Sequence, residues 1–119
     1  MLTETTRTAE FLVSEANGDR AREQIIVAYG SDLEPGTVLG EVTTTGKYKR
    51  LDPDATDGSE SATAVLYGHA PASGGDVRAV AIARDAVVVA RALKFASGVD
   101  SAAQQLAIAS LAERGIVAR

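Results

Sequence analysis

With 119 residues, a formal net charge of −4 and no cysteine, the chain is sized for one domain and has neither a disulfide framework nor a cysteine-based metal site. Its only basic run is Lys47-Tyr48-Lys49-Arg50, which argues against nucleic acid as a partner, because a nucleic-acid binder carries a basic face that displaces counterions. No apolar run approaches the roughly 20 residues needed to span a bilayer, and Met1 to Arg7 contains no apolar signal region, so a membrane partner is not expected.

Residues 1–9 are rich in Thr and Glu and lack periodicity, which reads as a flexible arm. Glu10-Phe11-Leu12-Val13 is a short apolar island within that polar stretch. It is either an edge strand of the same domain or a segment that adds as a strand to a partner's exposed sheet edge, with Phe11 and Val13 pointing to one side. Asn17-Gly18 signals a turn. Gln24 to Tyr29 (QIIVAY) is β-branched and predicts a strand.

Pro35-Gly36 suits the two central positions of a type II turn. Thr37 to Val42 follows as a strand, in which Gly40 marks a bulge or a close backbone approach. Thr45-Gly46 breaks the chain, and Lys47 to Leu51 returns as the second arm of a hairpin. Asp52 to Glu60 is a polar surface loop. Ala62 to Ala70 is a core strand, Pro71 to Asp76 a loop with Gly74-Gly75 at its tip, Val77 to Ala83 an alternating strand, and Val87-Val88-Val89 a further apolar β-branched run.

The C-terminal part changes character. Ser101 to Arg114 is rich in Ala, Leu, Gln and Glu and predicts a helix. Ser101 and Gln104 fit a capping box, and Gly115 a C′ position. Ala103, Leu106, Ala107, Ser110 and Leu111 form the stripe expected to pack on the body. Ile108 falls off that stripe and is a candidate for a subunit interface. Ile116-Val117-Ala118 reads as a final short strand. The pattern predicts a mainly β fold with one C-terminal helix, either a compact barrel or a bent ribbon.

Of the apolar residues 22 are alanine, and Phe11 and Phe95 are the only phenylalanines. Alanine buries little area, and burial yields about 25 cal/mol per Å², so the core is thin and a partner chain is expected.

Catalytic chemistry finds little support. His69 is the sole histidine and has no flanking nucleophile motif, so it reads as structural. The Asp52–Glu60 loop superficially resembles a calcium loop. Its sharp-turn glycine and bidentate glutamate are missing, so Asp52, Asp54 and Asp57 read as a solvated turn and no metal or other cofactor is expected. Arg84-Asp85 reads as a local surface pair. Arg20, Arg22 and Lys47 to Arg50 read as solvated charges. No glycine-rich phosphate loop is present.

The order and spacing of several stretches resemble the bacteriophage head decoration proteins of the lambda type, in their long-armed branch. These stretches are Phe11 to Gly18; Leu33 to Gly40; Tyr48 with Asp52-Pro53 and Asp57-Gly58; Ala64 to Tyr67; Ala83 to Ala86; and Leu111 to Ile116. They span about residues 10–117. One departure is Val65, at a place where such proteins often carry glycine.

The resemblance implies a β-clip-like bent ribbon with a small barrel. It implies a non-enzymatic structural role: homotrimers bound to the major capsid protein on the outer surface of the expanded head, stabilising it. Such a protein is made in the host cytoplasm and ends on the virion. The resemblance divides the chain into a capsid-binding arm, residues 1–22, and a decoration domain, residues 23–119. Arg7, Thr8, Ala9, Glu10, Phe11, Leu12 and Val13 are then the arm residues expected to meet the capsid. The alternatives are another structural phage part, such as a tail or connector subunit, or a small β-barrel hydrolase.

Overall fold

The computed structural model describes residues 12–15, 21–96 and 98–119. The β-branched and apolar runs become ten short strands. They are β1 (Leu12–Glu15), β2 (Arg22–Val27), β3 (Asp32–Leu33), β4 (Val38–Glu41), β5 (Tyr48–Arg50), β6 (Ala64–Leu66), β7 (Ala70–Pro71), β8 (Val77–Ile82), β9 (Ala86–Val88) and β10 (Ile116–Ala118). Short 3₁₀ turns occupy Ala72–Gly74 and Ala90–Ala92, and one helix, α1, spans Ser101–Glu113. The chain is thus mainly β with one C-terminal helix.

Strands β2, β5, β4, β6 and β8 close a five-stranded barrel. Antiparallel β2 and β8 run together from Arg22↔Ile82 to Val27↔Val77. The ring is completed between β2 and β5 by one parallel pair, Val27↔Tyr48, so the barrel is irregular there. A second sheet has the order β1-β9-β10, and β3 with β7 forms a two-stranded ribbon. The expected strand over Ala62 to Ala70 is therefore two strands. β6 leaves the barrel after Leu66, and the chain re-pairs at Ala70 with Leu33.

Three barrel strands carry apolar side chains on both faces. Leu39, Ala64, Leu66 and Ala81 point into the barrel with Ile25, Val27 and Leu33. Their neighbours Val38, Val65 and Ile82 point outward into a second cluster with Val88, Leu111 and Ile116. Successive residues of a strand face opposite ways, so β4, β6 and β8 are shared walls between two small cores. Val65, the departure noted in the sequence, is wholly buried and pairs with both Val38 and Ile82. The second cluster has room for the larger side chain.

The turns follow their residues. Gly36 takes a positive φ of 91°, and Thr37 N–H donates to the Glu34 carbonyl at 3.2 Å, as the Pro35-Gly36 turn requires. Gly40 is a site of close approach: a Cβ there would stand 2.5 Å from the Ser59 carbonyl oxygen. The Asp52–Glu60 loop is thus pressed against β4, and Ser59 is wholly buried.

The helix departs from expectation in two ways. Its N-cap is Asp100, whose carboxylate accepts the Ala103 N–H at 2.8 Å. Gln104 donates from Nε2 to the Val99 carbonyl at 3.1 Å. The cap therefore lies one residue before Ser101, because the acidic side chain reaches the free amides of the first turn. The buried face is centred on Ala107 and Leu111, with Ile108 packed beside them on the core, whereas Leu106 is 71% exposed. The stripe is rotated from the expected one, and Ile108, partly buried, packs against the subunit's own core cluster. β10 lies parallel to β9 immediately after the helix.

Candidate functional site

The segment expected to meet a partner is described only in part. Arg7, Thr8, Ala9, Glu10 and Phe11 lie outside the described residues. Leu12 and Val13 open β1, which pairs antiparallel with β9 through Leu12↔Val88, Ser14↔Val87 and Glu15↔Ala86. The register shifts between Leu12 and Ser14, so Val13 sits in a bulge. Leu12 packs on the outer core cluster, while Val13 is 59% exposed. A strand of the body is thus the form this stretch takes within the isolated chain.

β1 is an edge strand, and β10 is the other edge of the same sheet. Ser14, Val87 and Val117 share the face turned away from the core, as the register requires. Val117 is exposed. Exposed apolar side chains beside a strand that is an edge among the described residues are of the kind that suit docking against another chain.

Behind β1 stands a polar contact that ties it to the barrel. Arg22 Nε donates to both oxygens of Glu15, each at 3.1 Å, and its Nη2 adds a further bond to Oε1. The Arg22 guanidinium also lies over the Tyr67 ring, 4.4 Å from its centroid. A planar guanidinium matches a carboxylate and an aromatic face at once. The three residues lie at the end of β1, the start of β2 and just beyond β6. Arg22, expected to be solvated, is thus held by Glu15 and Tyr67. Sequence spacing carries no signal for this contact, since Glu15 and Tyr67 are brought to Arg22 only by the sheets.

The remaining charges have local explanations. Lys47 pairs with Asp76, and Lys49 with Asp57 at 2.8 Å. The Lys49 ammonium and the Ser59 hydroxyl and amide hold the Asp57 carboxyl far below the usual carboxylate range. Asp52 accepts the Asp54 amide at 3.1 Å. The acidic loop thus spends these carboxylates on its own turns and on Lys49. Arg84 reaches Glu23 at 3.2 Å on the neighbouring part of β2, so it links strands as well as standing beside Asp85. His69 is exposed between β6 and β7. Among the described residues no group of three or more His, Cys, Asp or Glu side chains is arranged to hold a metal ion, and no helix is long and apolar enough to cross a membrane.

An open groove of about 490 Å³ lies between the end of β2, the loop after β5 and the start of α1, with Tyr29, Leu33, Pro53, Val99 and Ala103 among its lining residues. Lys49, Arg50, Asp52, Asp54 and Asp100 also line it.

No individually curated protein matches the chain. The family model described as bacteriophage lambda head decoration protein D matches residues 1–116. That span takes in the arm, the barrel, the β1-β9-β10 sheet and the helix. The chain belongs to the bacteriophage lambda head decoration protein D family, whose members are structural proteins of the phage capsid.

Proposed function

We propose that this protein binds the outer surface of the expanded phage head as homotrimers and stabilises the shell without catalytic activity. In this reading residues 1–22 are the capsid-binding arm and residues 23–119 the decoration domain. Leu12–Glu15, Ala21 and Arg22 are parts of the arm tied to the domain. Arg7, Thr8, Ala9, Glu10, Phe11, Leu12 and Val13 make the contact with the major capsid protein. The observation that carries the reading is the placement of Val13, exposed on a bulged edge strand where the arm joins the body, in a chain whose family decorates phage heads.

The physical logic is avidity. One short arm gains modest affinity from main-chain pairing and a few apolar anchors. Three arms on one trimer engage neighbouring capsid subunits at high effective concentration. The thin, alanine-rich core of each subunit supports assembly with other copies. The matching family points to the head rather than to the tail or connector.

The test is sedimentation of purified full-length protein with expanded and unexpanded shells. The expected result is co-sedimentation with expanded shells at saturating stoichiometry and little with unexpanded ones. Protein left in the supernatant with both would overturn the proposal.

A further inference from the structure

We infer that the Glu15–Arg22–Tyr67 contact is a clasp that positions the arm for capsid binding, with Arg22 as the positioning residue. This inference rests on the decoration reading given above and adds a device for which the family match makes no provision.

β1 has little else to hold it. It is four residues long and, among the described residues, sits at a sheet edge and pairs with β9 alone. Its register is broken at Val13, and Val13 and Ser14 are exposed. Leu12 alone inserts an apolar side chain among the core residues. Such an edge strand opens readily unless something fixes its far end. Glu15 is that end, and its side chain is largely shielded, at 18% exposure.

Arg22 is well placed to fix it. It begins β2, whose pairing with β8 is the longest ladder in the barrel. Tyr67, beneath the guanidinium, donates its backbone N–H to the Val80 carbonyl at 2.8 Å and packs on the outer cluster. The guanidinium is therefore braced by the barrel on one side and grips β1 on the other. An ion pair with a bidentate fork and a ring beneath it holds direction as well as distance.

The consequence concerns residues 1–11, which continue from Leu12. With β1 clasped, the chain enters the arm from a fixed point and heading. With β1 free, β1 itself must be ordered at the moment of binding, and that ordering lowers affinity. Three arms per trimer multiply the loss. The body itself should scarcely notice, because the barrel and the helix keep their own cores.

The experiment uses full-length protein with Arg22→Gln, Glu15→Gln, the double variant, and the charge-reversed pair Glu15→Arg with Arg22→Glu. Hydrogen exchange of the peptide covering β1, thermal unfolding, and co-sedimentation with expanded shells are measured for each. Either single variant should raise exchange in β1 by about tenfold while barrel strands stay protected. Shell affinity should fall by about tenfold, with the double variant no worse than either single one. The charge-reversed pair should recover part of both losses, which loss of generic surface charge would not produce. Glu15→Gln is nearly isosteric and serves if Arg22→Gln disturbs folding.

Unchanged exchange in β1 would overturn the clasp. Faster exchange with wild-type shell affinity would overturn its positioning role. Wild-type protein that fails to bind expanded shells would instead overturn the decoration reading, and the positioning role with it.

Discussion

The backbone of Ser59 runs so close to Gly40 that a Cβ on Gly40 would lie 2.5 Å from the Ser59 carbonyl oxygen and 2.6 Å from its Cα. Backbone cannot yield as a flexible side chain can. Gly40→Ala must therefore push the Asp52–Glu60 loop off β4, expose Ser59 and loosen the pairing of β4 with β5. The expected loss is about 3 kcal/mol, at the upper end of the overpacking range. Gly74→Ala, with open space around the added methyl, is the control and should be near neutral. Urea denaturation checks both: the Gly40 variant should unfold at lower urea with an unchanged slope.

Acid should weaken the fold through the same loop. Asp57 is held far below its ordinary value, chiefly by Lys49 and then by Ser59. Asp76 is lowered chiefly by Lys47, and Asp32 by Ser73. A carboxyl more acidic in the folded chain than in the unfolded one contributes stability that is whole above its unfolded value of 3.8. That contribution is lost as the pH falls through the lower, folded value. Thermal unfolding should therefore be insensitive to these groups between about pH 5 and about pH 7 and decline below about pH 4. These carboxyls are solvent-exposed, so salt should shrink the effect. Asp57→Asn should flatten the decline, and a slope identical to wild type would assign acid sensitivity to other carboxyls.

The helix cap separates two neighbouring residues. Asp100→Ala removes the acceptor for the Ala103 amide and should cost about 1 kcal/mol. Ser101→Ala, inside the helix and exposed, should change stability by less than about 0.5 kcal/mol. Chemical denaturation of the two variants distinguishes them directly.

The rotated helix face gives a sharper contrast. Ile108 packs against the core and Leu106 does not. Ile108→Glu should destabilise the subunit by about 2 kcal/mol or more, since a charge is forced toward apolar neighbours without a partner. Leu106→Glu should leave the subunit's own stability within about 0.5 kcal/mol. Circular dichroism during denaturation measures both, and equal losses would contradict the observed rotation.

The arm is tested by truncation and by its aromatic residue. Removing residues 1–11 should abolish co-sedimentation with expanded shells while the body unfolds at its usual temperature, because Leu12–Glu15 and every core residue among the described residues remain. Phe11→Ala should weaken shell binding by about tenfold or more, as expected for an aromatic anchor. Thr5→Ala should have little effect. Equal losses from the two substitutions would remove Phe11 from that role.

Much of this protein was decided locally. The strand over Gln24 to Tyr29, the Pro35-Gly36 turn, the close approach at Gly40, the return at Lys47 to Leu51, the alternating run from Val77 and the terminal helix all depend on backbone preferences and side-chain size. Neighbouring residues carry those in full. The ordered set of short motifs likewise marked the family, because it spans nearly the whole chain.

Tertiary structure alone decided the rest. Val38 and Leu39 are adjacent and both wholly buried, yet one joins the outer cluster with Leu111 and the other the barrel interior. A strand walled on both sides loses the apolar–polar alternation that reveals its faces. The helix stripe was ambiguous because alanine fills so many of its positions, so the packing of Ile108 rather than Leu106 on the core was decided by the tertiary contacts of the helix. The ion pair of Arg22 with Glu15, braced by Tyr67, depends on three elements meeting in space. No spacing along the chain encodes that meeting, because the sheets bring the ends of separate strands together only once the barrel has closed.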